Sequence, residues 1–412
     1  MSRRGETTPP SLSRRTALAE PDRRGPGQIV LVLQGGGALG AYQVGVYEAL
    51  HEHGLEPDWV IGTSIGAINA ALIAGNPAER RLERLKEFWS RMQRGSIAGS
   101  LPLLPQGANF LDIWRTMAGG IAGFFEPNLP AFLSPHWPLG PAQAGFYATE
   151  ALDATLTELV DFERITGNAP RLTVGAASVR TSHMRYFDSR HCEITKKHVM
   201  ASGALPPAFP AVFIDGEGYW DGGILSNTPI EAVFDDKPRR DSLIFSTHVW
   251  SGTGAEPGTI WDVLHRQKNV QYASRTESHV MRQQQIHRLR HVINLLTTEI
   301  PPERRDSPEV RELSSYGCPT TMHVVQLQAP ALEGENHYKD IDFSPAGVRI
   351  RWEAGYRHAR SALEEAPWRG EFDPLEGLVL HDPPDDGRLD CASELEAKTM
   401  KQSSRPERAL TS

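Results

Sequence analysis

An α/β fold with a doubly wound, mainly parallel sheet flanked by helices is predicted by three features of the 412-residue chain. Apolar runs without polar alternation, at residues 29–33, 172–176 and 243–247, have the composition of strands buried on both faces. Two strand-turn-helix successions follow one another between residues 29 and 75. Both turns are rich in glycine, and strand, helix, strand, helix in so few residues argues for parallel strands joined by helices.

The first strand, 29–33 (Ile-Val-Leu-Val-Leu), leads into Gly35-Gly-Gly-Ala-Leu-Gly40. From Ala41 to His53 the apolar residues Tyr42, Val46, Tyr47 and Leu50 recur at helical spacing, and Gly54 stands where a helix ends. A short strand at 59–61 is followed by Gly62-Thr63-Ser64-Ile65-Gly66 and a helix of small residues over about 67–74. Leu82, Leu85, Phe88, Trp89 and Met92 mark an amphipathic helix. Residues 95–146 hold only Asp112, Arg115 and Glu126 as charged residues amid Pro, Gly, Trp, Phe and Leu, and are expected to be a helical insertion outside the sheet. Strands at 172–176 and 184–187 precede the Pro-rich loop 206–210 and then Tyr219-Trp220-Asp221-Gly222-Gly223. Beyond the strand at 243–247, residues 260–296 read as one or two long surface helices, 323–327 as a strand and 345–363 as a helix.

The expected division is a disordered basic arm over 1–27, a main α/β domain over 28–250 and an extension of unassigned role over 255–370. The acidic tail from 371 to 412 is expected to be flexible. A net charge of −8 and a pI near 6.0 exclude a general attraction to nucleic acid or to an anionic membrane. Cys192, Cys318 and Cys391, odd in number and far apart, fit free thiols better than a disulfide framework. Arg14-Arg15 lacks the apolar run of an export signal, and no stretch reaches the ~20 apolar residues of a membrane span. A cytoplasmic chain is expected, compatible with peripheral membrane association.

Three motifs carry chemistry. Successive glycines at Gly35, Gly36 and Gly37, with Gly40 opening the helix, can aim several backbone N–H groups at one anion. The same pattern occurs in dinucleotide-binding turns, with Asp58 about twenty residues on. That acid belongs at the carboxyl end of the second strand, however, and Asp58 stands before it. The second motif, Gly62-Thr63-Ser64-Ile65-Gly66, has the G-x-S-x-G form of a nucleophile elbow, in which the glycines permit a turn sharp enough to lift a serine hydroxyl clear of the backbone. Serine needs a base, and Asp221, in the turn Asp221-Gly222-Gly223, is the candidate. An Asp-Gly turn by itself is usually only a hairpin.

In this order the three motifs resemble the signatures of the patatin-like phospholipase family over about residues 28–250. The resemblance implies that Ser64 is the nucleophile, Asp221 the other half of a Ser-Asp dyad, and the amides around Gly36 and Gly37 the oxyanion hole. It also implies a lipid or other acyl ester as substrate, without cofactor or metal. A cation common in that family just before the last glycine of the first motif is replaced here by Leu39. Residues 201–207, Phe209-Pro210 and Asn227-Thr-Pro229 look like the family's scaffold. A Ser-Asp-His triad remains open, with His248 ahead of His265, His291 and His323, as do a non-catalytic lipid-binding protein and a transacylase using the same acyl-enzyme. The apolar insertion either packs into the core or forms an acyl-binding cover that meets a lipid surface.

Overall fold

The computed structural model describes residues 27–93, 120–121, 123–167, 170–332, 335, 337–373 and 375–382. Its centre is a nine-stranded, mostly parallel sheet. In chain order the strands are β1 (Gln28–Leu33), β2 (Trp59–Thr63), β3 (Arg171–Ser178), β4 (Met184–Asp188), β5 (Val212–Ile214), β6 (Glu217–Asp221), β7 (Ser242–His248), β8 (Met322–Gln328) and β9 (Leu378–His381). They lie in the order β9-β8-β7-β1-β2-β3-β6-β5, with β4 on the other edge of β3. From β9 to β3 every pairing is parallel, and the pairings of β4, β5 and β6 are antiparallel.

The uninterrupted apolar run of β1 follows from this central position. Ile29, Leu31 and Leu33 point into one hydrophobic cluster while Val30 and Val32 point into another, so both faces are covered. The larger cluster takes in helices α1 (Ala41–Glu52), α2 (Ile65–Ala74) and α3 (Ala78–Gln93). All ten residues of α2 are buried, which explains its composition of Ala and Ile, whereas α3 buries only one face, with Leu85, Phe88, Trp89 and Met92. Behind β3 lie α4 (Glu150–Leu159) and α5 (Lys196–Ser202). Residues 260–299 form a single helix, α6 (Ile260–Glu299), opened by a capping box between Thr259 and Asp262. The last helix, α7 (Pro345–Glu365), packs along α1.

The α1–α7 contact rests on two glycines. A Cβ at Gly45 would lie 1.9 Å from the Trp352 carbonyl oxygen, and one at Gly355 would lie 1.9 Å from that of Tyr42. Each helix thus presents a bare backbone patch to the other.

Two sequence expectations are corrected here. Residues 255–370 do not stand apart from the core: β8 extends the same sheet beside β7, and α7 covers α1. Leu378–His381, assigned to the tail, forms the edge strand β9, because the continuous apolar run Leu378-Val-Leu380 pairs in parallel with β8 from Met322 to Val325. The basic arm up to residue 26, the segment 94–119 and residues 383–412 lie outside the described residues, and with them Cys391. Cys192 and Cys318 are free thiols. No described helix is long and apolar enough to cross a membrane.

Candidate active site

β2 ends at Thr63 and α2 begins at Ile65, leaving Ser64 alone at the bend with φ 57° and ψ −128°. A non-glycine residue in that conformation is strained, and it persists only because its surroundings hold it. The backbone N–H of Ser64 donates to Ser202 Oγ at 3.0 Å, and that hydroxyl donates to the Gly175 carbonyl at 2.6 Å. The flanking glycines are required by close approach. A Cβ at Gly62 would stand 2.2 Å from the Gly66 carbonyl oxygen, and one at Gly66 would stand 2.2 Å from that of Leu33.

Asp221 reaches the same point from the opposite direction. β2 pairs with β3 up to Thr63–Gly175, while β6, running the other way, pairs with β3 from Tyr219–Ser178 to Asp221–Ala176. Because β4 occupies the other edge of β3 across residues 173–177, β2 and β6 share one edge and their carboxyl ends meet head to head. The hairpin that returns β6 is made by Asp215-Gly216, both with positive φ. The second Asp-Gly pair, Asp221-Gly222, is left at the strand end facing Ser64. The Ser64 hydroxyl lies close enough to the Asp221 carboxylate to favour its ionised form. The Gly223 N–H donates to Asp221 Oδ1 at 2.7 Å. Burial pushes the Asp221 carboxyl up to about 6, and the nearby Ser64 hydroxyl and the Gly223 N–H oppose that rise without cancelling it.

The glycine loop closes the third side. The Gly35 carbonyl accepts from Asn227 Nδ2 at 3.1 Å and from Trp250 Nε1 at 2.8 Å, and the Gly35 N–H donates to the Asn227 carbonyl at 3.1 Å. In a trans peptide the next N–H points opposite to that carbonyl, so anchoring the Gly35 oxygen also orients the Gly36 N–H. Behind the loop runs a buried polar chain. Gln34 Nε2 donates to Thr228 Oγ1 at 2.7 Å, Gln43 Nε2 to the Gln34 carbonyl at 2.6 Å, Asn69 Nδ2 to Gln43 Oε1 at 2.9 Å, and Trp89 Nε1 to Asn69 Oδ1 at 3.0 Å. Every member is buried and satisfied by a neighbour, which makes the chain a rigid support.

Ser64 and Asp221 line a cleft of about 290 Å³ whose other walls are mostly apolar side chains. Its wall is aromatic and composite. Phe124 and Phe125 come from the insertion, Tyr147 from its end, Phe209 from the Pro-rich loop and Phe343 from the C-terminal region. Phe124 packs on Phe343 with ring centroids 6.1 Å apart, and Phe125 on Tyr147 at 4.8 Å. Such a cleft suits an acyl chain entering beside a polar reacting end.

Of the residues singled out from sequence, Gly35, Gly36, Gly37, Ser64, Ile65, Asp221 and Gly223 line the cleft. Gly40, Gly62, Thr63, Gly66 and Gly222 do not; they form the backbone behind it. Leu39 is buried in the apolar core, so this position brings no cation to the loop. Asp58 accepts from the Ile29 N–H at 2.9 Å, pinning the start of β1 rather than the carboxyl end of β2 where a ribose-binding acid would stand. His248 hydrogen-bonds Ser246 Oγ at 3.1 Å, and burial pushes it down to about 4. Among the described residues no histidine lines the cleft. Ser202 lies in the scaffold run 201–207, whereas Gln34, Trp250, Tyr272 and the turn at Asp340 sit in no pattern that distinguishes them in a single sequence. Of the insertion's apolar residues, Phe125 is buried while Phe132 and Trp137 are exposed; Leu101, Leu103, Leu104, Phe110, Ile113 and Trp114 lie outside the described residues.

Two family models match the chain: patatin-like phospholipase over residues 31–234 and patatin phospholipase over residues 270–375. Lysophospholipase nte1 of Aspergillus terreus is 51% identical over 63 residues, which is 15% of this chain and 4% of that one. Triacylglycerol lipase ptl3 of Schizosaccharomyces pombe is 40% identical over 62 residues, 15% of this chain and 13% of the relative. The matched stretches thus span only a small part of these relatives. Among solved structures, VipD from Legionella pneumophila aligns over 92% of this chain and 75% of its own, with 16% identity and a TM-score of 0.37.

Proposed function

The chain belongs to the patatin-like phospholipase family, and from that premise we propose that it is a serine hydrolase of lipid acyl esters working through a Ser64–Asp221 dyad. The reading rests on one observation above all: the Ser64 hydroxyl and the buried Asp221 carboxylate line one apolar cleft, close enough for the hydroxyl to favour the ionised carboxylate. Asp221 takes the proton from Ser64 Oγ as the oxygen attacks the ester carbonyl. The N–H groups of Gly36 and Gly37, with the amino end of α2, hold the oxyanion. Asp221 returns the proton to the leaving alcohol. A water then loses its proton to Asp221 and cleaves the acyl-enzyme, and Ser64 recovers its hydrogen. The acyl chain lies along the aromatic wall, outside which no polar group is needed.

The experiment is direct. The full chain should label with a fluorophosphonate and hydrolyse p-nitrophenyl esters and phospholipids, and Ser64→Ala should do neither. His248→Ala should retain hydrolysis within about threefold, because its imidazole is spent on Ser246 and stays neutral. A loss of a hundredfold or more in that variant would favour a triad instead.

Leu129, Phe132, Leu133 and Trp137 are exposed, and Phe132 packs on Phe146 and on Tyr147 of the cleft wall. An apolar group this close to the cleft is suited to enter a lipid surface. The double variant Leu133→Asp, Trp137→Asp should float less with phosphatidylcholine vesicles while cleaving a soluble short-chain ester at the normal rate. Unchanged flotation would remove the interfacial role.

A further inference from the structure

The C-terminal region reaches the reacting centre through the turn around Asp340. Gly37, the second of the two proposed oxyanion donors, has φ +55°, and the Asp340 carbonyl oxygen stands so close that a Cβ on Gly37 would lie 2.2 Å from it. That carbonyl belongs to a turn gripped from outside. Lys268 Nζ donates to both carboxylate oxygens of Asp340, at 2.8 and 3.0 Å, and to the His337 carbonyl at 2.9 Å. One ammonium thus bonds both ends of the segment 337–340.

Lys268 and Tyr272 are four residues apart on α6 and share a face. Tyr272 lines the cleft and packs on Trp250 with ring centroids 4.9 Å apart, while its carbonyl accepts from Gln34 Nε2 at 3.3 Å. Trp250 in turn holds the Gly35 carbonyl. Lys339 Nζ lies 5.2 Å from the centre of the same Trp250 ring. Glycine at 37 is free to leave its conformation unless something blocks it, and a donor that relaxes no longer meets an oxyanion at short range.

Resting on the hydrolase reading, we propose that Lys268 is a positioning residue: by clamping the Asp340 turn onto Gly37 it fixes the oxyanion loop in its working geometry. The C-terminal region is therefore part of the catalytic apparatus rather than an appendage. Lys268 itself touches neither substrate nor Ser64.

The test uses the full chain and a soluble p-nitrophenyl ester. Lys268→Met should lower kcat by about tenfold or more, short of the 10²–10³ that removal of an oxyanion donor costs, with KM within about twofold. The rate of fluorophosphonate labelling at Ser64 should fall in parallel. Lys268→Arg, which keeps both hydrogen-bonding functions, should restore most of kcat, and Asp340→Asn should give a loss similar to Lys268→Met. The proposal is overturned if Lys268→Met keeps kcat within twofold of wild type. It is equally overturned if kcat falls only as far as the folded fraction does and Lys268→Arg fails to restore it. A wild-type chain inert to both ester and probe would overturn the hydrolase reading and this proposal together, an outcome distinct from an active wild type with an equally active variant.

Discussion

Asp221→Asn should reduce ester hydrolysis by about 10³-fold or more while leaving a folded and more stable protein. The amide keeps the shape and hydrogen-bonding of the turn but cannot accept the Ser64 proton, and general-base assistance to a serine contributes at least about this much. In the wild type only the ionised carboxyl is a base. With its ionisation raised to about 6 by burial, kcat/KM should climb tenfold per pH unit below that value and level off above it. Stability should move the other way. In the unfolded chain the same carboxyl ionises near 3.8, so native stability falls as pH rises through the window from about 4 to 6. Above it the whole penalty stands, on the order of 3 kcal/mol. Asp221→Asn should recover roughly 2 kcal/mol of this at pH 7 and almost none at pH 3.5. Urea unfolding of the two proteins at both pH values measures it. An unchanged or lowered stability at pH 7 would mean that the native carboxyl is not held at a cost.

Gly45→Val should be the most damaging change far from the cleft. In the native packing the first added carbon already falls 1.9 Å from the Trp352 carbonyl oxygen, and backbone on both sides leaves nothing to rotate away. Helices α1 and α7 must separate, exposing apolar surface on each, with an expected loss of at least about 3 kcal/mol. Gly355→Val should cost a similar amount. Because both substitutions break one contact, the double variant should be much less than additive. Denaturant melts of the three proteins decide this, and a Gly45→Val variant within about 1 kcal/mol of wild type would refute the bare-backbone account.

The legible part of this molecule is the part where backbone geometry restricts residue type. Sharp turns demand glycine and central parallel strands demand unbroken apolar runs, so β1, β2, α1, the elbow at Ser64 and the turn at Asp221 could be placed from sequence. The support around them could not. Of it, Ser202 and Asn227, which hold the Ser64 N–H and the Gly35 carbonyl, fall only within stretches marked by the family resemblance, while Gln43 and Trp250 hold peptide groups of the loop as a buried amide and an indole that leave no periodic trace. Gly45 and Gly355 have ordinary helical conformations and serve only to let another helix approach. The C-terminal strands escaped placement in the sheet because α6, forty residues long, intervenes between β7 and β8, and order in space is not written in that interval.

The pairing of β1 with β7 carries a consequence for how the molecule is made. Gln28 Nε2 bonds Ser242 Oγ across 214 positions of chain, and the Asp340 turn that abuts Gly37 emerges from the ribosome later still. A topology so dominated by distant partners folds slowly, since chain entropy is lost before the contacts that reward it can form. The proposed nucleophile is therefore synthesised long before its surroundings exist, and a nascent chain should stay catalytically silent until its last helix has docked.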